Sequence, residues 1–329
     1  MRVLSGHREC VEALVDAARW PPPDVVTVSG LTHRAAQIRR VAYAALAPGR
    51  WASTMASRIV ADAVDLLSAL PSGRVDLVSS FSLPFAERVV ASYLELPHDP
   101  WHEHLSIRLA EMRGSPVAEQ RHTSLVPALS SSLPRLRDQP TGGVLSAFAA
   151  SAGEAGFGDD DTLRIVPRLA VNATLGILDL VSSLSLFVVR GVAVDARPAE
   201  RVVDEVLRLD PPVKGVARFD RIDDVDVVVD LASANRDPTV FTEPHRFDPG
   251  RPELSEHLAF GRGHEACVGA PIARMAGVAA LRALWSYEWN PEDHPIRRWS
   301  MPFNPGIREV WAMRGPARSL GLSRDDRSG

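Results

Sequence analysis

The sequence is short of cysteine, of long apolar runs and of charge gathered in blocks. Its only cysteines are Cys10 and Cys267, far apart along the chain. Two such residues cannot build a disulfide framework, which excludes a small stapled secreted fold and suits a reducing cytoplasm. The net charge is −4 and no basic block occurs, which excludes nucleic acid as the expected partner. No charged-then-apolar leader opens the chain, so no signal peptide is expected. The one long apolar run, Leu169 to Val189, carries Asn172 and Asp179 inside it. A central Asp costs about 3 kcal/mol on insertion scales, so a buried core helix is expected there, and no membrane span. There is no internal repeat. What remains is 329 residues of ordinary globular composition, 45% hydrophobic and 24% charged, enough for one large domain or two.

The chain is organised around Leu258 to Met275, which reads L-A-F-G-R-G-H-E-A-C-V-G-A-P-I-A-R-M. A glycine-broken loop leads to Cys267, then to Gly269 and an apolar, Ala-rich helical run from Ala270 to Ala283. A thiol at a helix start meets free N–H groups and the positive end of the helix dipole, which favour the thiolate, the form that binds metal. Glycines on both sides permit close backbone approach by a flat cofactor.

This loop resembles the haem-ligand loop of the cytochrome P450 family, F-G-x-G-x-[H/R]-x-C-x-G. Phe260, Gly261, Gly263, Cys267 and Gly269 match it at the family's spacing. The resemblance implies haem b, with the Cys267 thiolate as axial iron ligand pushing electron density onto the metal. The position two residues before the cysteine, which faces a haem propionate in the family, is Glu265 here. An anion repels a propionate, and His264 is the candidate substitute.

The rest of the chain extends the resemblance. A short strand, Arg2 to Leu4, and a helix, His7 to Ala18, come first, closed by Trp20-Pro21-Pro22-Pro23; some fifty residues that precede this point in the family are missing. Val25 to Ser29 is strand-like. The helix Arg34 to Ala47 carries Arg39 and Arg40, which match basic residues that hold a propionate in the family, though such a pair also suits a solvated helix face. Arg is apt because its rigid fork pairs with carboxylates. Helices are expected over Trp51–Leu70 and Leu83–Leu96, after Val75 to Val78. His98, His102 and His104 stand near Trp101 but read as a polar helix start more than as a metal site. Ser115 to Gly143, rich in Ser, Pro and Arg, falls where the family has a mobile lid over the substrate pocket.

A central helix is expected from Leu163 to Arg190. The family places an acid beside an alcohol there, to relay protons during oxygen activation. Those positions hold Leu175 and Gly176. Thr174 is the nearest hydroxyl and the candidate catalytic residue, although it suits a core hydroxyl bonding back to a helix carbonyl equally well; Asp179 is near but at a different angle. Glu205 and Arg208, before Asp210-Pro211-Pro212-Val213, resemble the family's structural E-x-x-R helix, with Arg251 as third member. Arg218 matches a second propionate-binding arginine. Asp220 to Asp230 alternates acid and Val as a strand would, where the family has a longer Pro-Ala-Gly hairpin. Ala234 to Pro238 and Phe241 match closely. Short strands and turns follow from Trp285 to Trp311, then a polar tail from 318 to 329.

The expectation is a mainly α fold with small β-sheets, cytochrome P450-like and shortened at the N-terminus, with one domain over 1–317. The resemblance implies an oxidoreductase, monooxygenase-like, with a peroxide-using or non-oxygenating variant because Leu175 and Gly176 replace the relay. It implies a small hydrophobic or natural-product substrate and a ferredoxin/ferredoxin reductase donor. The alternative is a non-catalytic homologue that serves as partner or activator of another biosynthetic enzyme.

Overall fold

The computed structural model describes residues 1–22, 40–44, 51–96, 101–102, 105, 125–139, 141, 143–154, 158–192, 198–263, 266–301 and 303–318. Strand β1 (Arg2–Leu4) and helix α1 (His7–Val15) open the chain. Residues 40–44 are helical. Helix α2 (Trp51–Ala69) leads to β2 (Gly73–Asp76), a π-helical turn (Val78–Ser82) and α3 (Leu83–Leu94). Helices α4 (Leu125–Asp138), α5 (Val144–Glu154), α6 (Asp159–Val189) and α7 (Ala199–Leu209) follow. Next come β3 (Gly215–Asp220), β4 (Val225–Asp230), α8 (Ala270–Trp285), β5 (Tyr287–Pro291) and β6 (Trp311–Ala317). The Val25–Ser29 strand, His98, His104 and the tail beyond 318 lie outside the described residues.

The long helix α6 is the axle of the molecule. Three acids, Asp159, Asp160 and Asp161, fill its first turn, where the helix dipole favours negative charge. Its apolar side, with Ile177, Leu180, Val181 and Leu184, is buried in one large cluster with α2, α3, α7 and α8. Among the described residues α6 is the one helix long and apolar enough to cross a membrane. Within the fold it packs as a core helix instead, as Asn172 and Asp179 imply.

A second, smaller cluster joins Leu4, Cys10, Leu14 and Trp20 to Val227, Val229 and Leu258. It lies on a three-stranded sheet of order β1-β4-β3, with β1 parallel to β4 and β3 antiparallel to it. The second sheet, β2-β6-β5, is antiparallel throughout.

Two stretches differ from the sequence reading. The hairpin near Asp220 survives in short form, with β3 and β4 joined by residues 221–224. The Asp220 carboxylate accepts the N–H groups of Ile222 and Asp223 at 3.0 and 3.4 Å, and Asp224 takes a left-handed φ of 52°. Asp tolerates that region better than most residues and nucleates such turns. The second stretch is Leu125–Asp138, a helix inside the Ser- and Pro-rich stretch expected to be a lid. Leu125, Leu129, Leu133 and Leu136 recur at helical spacing and are buried, and this stripe outweighs Pro134, which removes one N–H without ending the helix. Residues 106–124 lie outside the described residues.

Candidate functional site

The cysteine loop is held at both ends by its own backbone. Leu258 N–H donates to the side-chain oxygen of Asn235 at 2.6 Å, and Gly261 N–H to the Leu258 carbonyl at 2.9 Å. Gly261 and Gly263 stand at φ 68° and 74°, which side chains resist. At Gly263 there is no room either: a Cβ would stand 3.3 Å from Val15 Cα, so α1 packs directly on the loop. The Cys267 N–H then donates to the Phe260 carbonyl at 2.8 Å, closing the loop. Gly269 is the N-cap of α8, with Pro271 in the first turn where its missing N–H costs nothing. Cys267 thus stands two residues ahead of the N-cap, and its thiol is exposed. Its charge reaches Tyr93 on α3: burial first, and the Cys267 charge second, push the Tyr93 phenol up from its ordinary range.

Phe260 is flanked by charge and ring. The Arg274 guanidinium lies 4.6 Å from its ring centroid, and the His257 ring 6.1 Å away. Arg274 and His257 both reach Asp204, at 2.9 and 3.4 Å. Burial opposes the Asp204 charge, but the hydrogen bond from His257 and the Arg274 cation hold its carboxyl below the usual range. Tyr43, in the helical segment 40–44, donates its hydroxyl to the Ala266 carbonyl at 2.9 Å. That bond sets Arg40's segment beside the cysteine loop; Arg40 itself is exposed. Arg39, His264 and Glu265 lie outside the described residues. Arg218 is buried on β3, its register partner Val227, and its Nη1 donates to the Ala217 carbonyl at 2.9 Å.

On the neighbouring helix, Glu205 and Arg208 are both fully buried. Arg208 spends its donors on Glu205 and on the carbonyls of Asn235, Pro244 and Arg246. Arg251 Nε lies 3.2 Å from each Glu205 oxygen, and its other donors reach the carbonyls of Thr242 and Arg246. Buried charges are tolerable only when paired and saturated in this way. The three residues lock segment 235–251 onto α7, which is scaffold work.

Helix α6 has one open face. Asn172 is exposed, Ala173, Leu175 and Gly176 are half-buried, and a Cβ on Gly176 would meet no atom within 4 Å. Thr174 is on the other side, fully buried, and donates its hydroxyl to the Ala170 carbonyl at 2.9 Å. Of the two roles weighed for Thr174, this geometry is that of the core hydroxyl, because the hydroxyl hydrogen is spent inside its own helix. His102 bonds Glu87 on α3, and among the described residues no three His, Cys, Asp or Glu side chains gather as a metal site would need. Sequence reasoning missed Tyr43, Tyr93 and the Asp204–His257–Arg274 group. Only Asn235 carried a signal, through its place in the Ala234–Pro238 match.

A protein-family model described as Cytochrome P450 matches residues 199–300. The chain is 46% identical over 94 residues to a putative cytochrome P450 140 of Mycobacterium bovis, covering 25% of this chain and 21% of that protein. It is 30% identical to a 20-oxo-5-O-mycaminosyltylactone 23-monooxygenase of Streptomyces fradiae, covering 69% of this chain and 58% of that one. The chain therefore spans less than two thirds of the length of these curated relatives. The solved structure of cytochrome P450 CYP109Q5 from Chondromyces apiculatus superposes with a TM-score of 0.81 at 20% identity, over 96% of this chain and 90% of that one. The family model falls on the segment that carries both the buried Glu205 cluster and the cysteine loop, and in that segment and in its fold the chain is similar to cytochrome P450s.

Proposed function

We propose that this chain is a haem–thiolate oxidoreductase that inserts oxygen into a small hydrophobic or natural-product substrate. The observation that carries this reading is the exposed Cys267 thiol, held by a glycine loop ahead of α8. The residues suit haem b. The exposed Cys267 thiol is a soft ligand suited to iron, and the core helix opens one face at Asn172, Ala173 and Gly176, with room for a flat group. Arg218 and the Arg39–Arg40 pair supply cations for two propionates, with His264 as a further donor in the loop. Bound haem would supply the redox chemistry of oxygen activation.

The protein's own residues do the rest. Cys267 stands just ahead of the first turn of α8, whose positive dipole end favours a thiolate. Phe260, capped by Arg274, shields the loop on one side. Glu205, Arg208 and Arg251 hold the scaffold in register. Thr174 packs the helix and takes no part in chemistry. Two similar proteins, the 20-oxo-5-O-mycaminosyltylactone 23-monooxygenase of Streptomyces fradiae and the monooxygenase PikC of Streptomyces venezuelae, support oxygen insertion into a natural-product substrate. On this reading residues 1–317 act as one cytoplasmic domain that receives electrons from a ferredoxin and its reductase.

The test is the absorption spectrum of the purified protein. Reduced protein under carbon monoxide is expected to show the strongly red-shifted band of thiolate ligation, and Cys267→Ala to lose it. A protein that stays colourless after haem reconstitution overturns the reading in favour of a non-catalytic partner of another biosynthetic enzyme.

A further inference from the structure

We infer that Asp179 is a proton-operated latch: as the neutral acid it holds the strap formed by 297–299 and 306–308 against α6, and as the carboxylate it lets the strap open. The inference goes beyond the function proposed above and holds with or without a bound cofactor.

The strap is a short antiparallel ladder. Arg298 and Ile307 are bridge partners. Trp299 N–H donates to the Gly306 carbonyl at 2.9 Å, and Arg308 N–H to the Arg297 carbonyl at 2.9 Å. The Phe303 carbonyl accepts the Lys214 N–H at 2.7 Å, just ahead of β3. Arg298 Nη2 donates to Asp210 at 2.9 Å, at the end of α7. Arg297, Arg298, Ser300, Phe303 and Arg308 are exposed, whereas α6 is rooted in the large core. Of the two, the strap is the part that opens locally.

Asp179 is 8% exposed, and its carboxyl rests directly on Gly306, where a Cβ would overlap it. Asp179, Ser183, Asp210, Lys214, Arg298 and Gly306 border one small internal space. Both cations of that space serve Asp210, which also accepts from Ser183 Oγ at 2.6 Å. Burial opposes the Asp210 charge, but Lys214 and Arg298 hold its carboxyl below the usual range. Arg236, beyond β4, adds its positive charge to the surroundings of Lys214. Among the described residues no hydrogen bond or ion pair reaches the Asp179 carboxyl. A charge there would be buried beside the Asp210 carboxylate with no donor of its own, so the closed strap favours the neutral acid. Burial first, then the Asp210 charge, push its pKa to about 7, against the pull of Lys214 and Arg298.

Opening the strap admits water to the carboxyl, which returns it toward its ordinary value of 3.8. Between the two values the closed form holds a proton that the open form has released to water. Opening is therefore independent of pH below about 4, rises by up to about tenfold per pH unit toward about 7, and is level above that. The opened strap frees the backbone at Lys214 and Gly215, against which Phe303 packs when closed.

The test is hydrogen exchange of the purified full chain, read by mass spectrometry on peptides that carry the Trp299 and Arg308 amides. After division by the intrinsic exchange rates, their protection should fall by up to about a hundredfold from about pH 5 to about pH 7 and change little above that. Asp179→Asn keeps the shape of the side chain and has no acid proton to release. It should lose this dependence and stay at least about tenfold better protected than the native chain at about pH 7. Protection in the native strap that does not vary with pH overturns the inference, and that result needs no variant. A slope shared equally by the amides of α6 and α8 also overturns it, because Asp179 would then be released only when the whole chain unfolds.

Discussion

Arg208 donates to both oxygens of Glu205, from Nε at 2.7 Å and from Nη2 at 2.8 Å, with both side chains fully buried. The pair stands at i, i+3 on α7, where most such pairs are solvated and worth a few tenths of a kcal/mol. Here Arg251 and the Asp248 N–H complete the shell around Glu205. Removing one member strands the others as buried charge. Glu205→Ala should lose about 3–5 kcal/mol of stability and give insoluble or haem-free protein, as denaturant melts and haem content would show. Soluble, haem-loaded but inactive protein would point instead to a direct chemical role.

Arg218 is buried on β3, and on the proposed reading its guanidinium pairs with a propionate, as the family match implies. Arg218→Ala should weaken haem binding by about a hundredfold or more, the equivalent of about 3 kcal/mol, with little change in the melting of haem-free protein. Unchanged affinity in a haem titration would reject the assignment.

Gly263 combines a φ of 74° with a Cβ position 3.3 Å from Val15 Cα. Gly263→Ala therefore meets strain and a backbone contact together. A loss of about 1–3 kcal/mol is expected. The lost contact lies between α1 and the cysteine loop, so haem retention should fall along with the melting temperature. A variant as stable as the native chain would mean that the loop does not depend on α1.

The Asp179 acid also writes a signature into stability. Its folded pKa is raised, from the ordinary 3.8 to about 7. Across that window the folded chain holds a proton that the unfolded chain has released. Stability from this group is therefore greatest below about pH 4, declines as pH rises to about 7, and is level above that. Asp179→Asn should remove this slope and leave the protein more stable at neutral pH. Denaturant melts at several pH values decide it: parallel stability curves for the two proteins would show that Asp179 ionises normally.

What the sequence by itself determined was local. The glycines and cysteine of 258–269 and the E-x-x-R spacing are written in neighbouring residues, because backbone conformation and helical phase depend on near neighbours; the expected central helix began at Leu163, and the structure starts it four residues earlier, at Asp159. Tertiary structure alone decided the partners. Composition hid α4, whose leucine stripe mattered only once it had a core to pack against. Thr174 and Asp179 were both polar residues in an apolar helix, and nothing in their own stretch told them apart. Packing turned Thr174 inward onto the Ala170 carbonyl. It set Asp179 against Gly306 while Asp210 drew Lys214 and Arg298 to itself. Likewise Tyr43 reaches Ala266 across more than two hundred residues of chain. A side chain's charge state and its bonding depend on groups brought near by folding, and those groups come from segments that no local pattern connects.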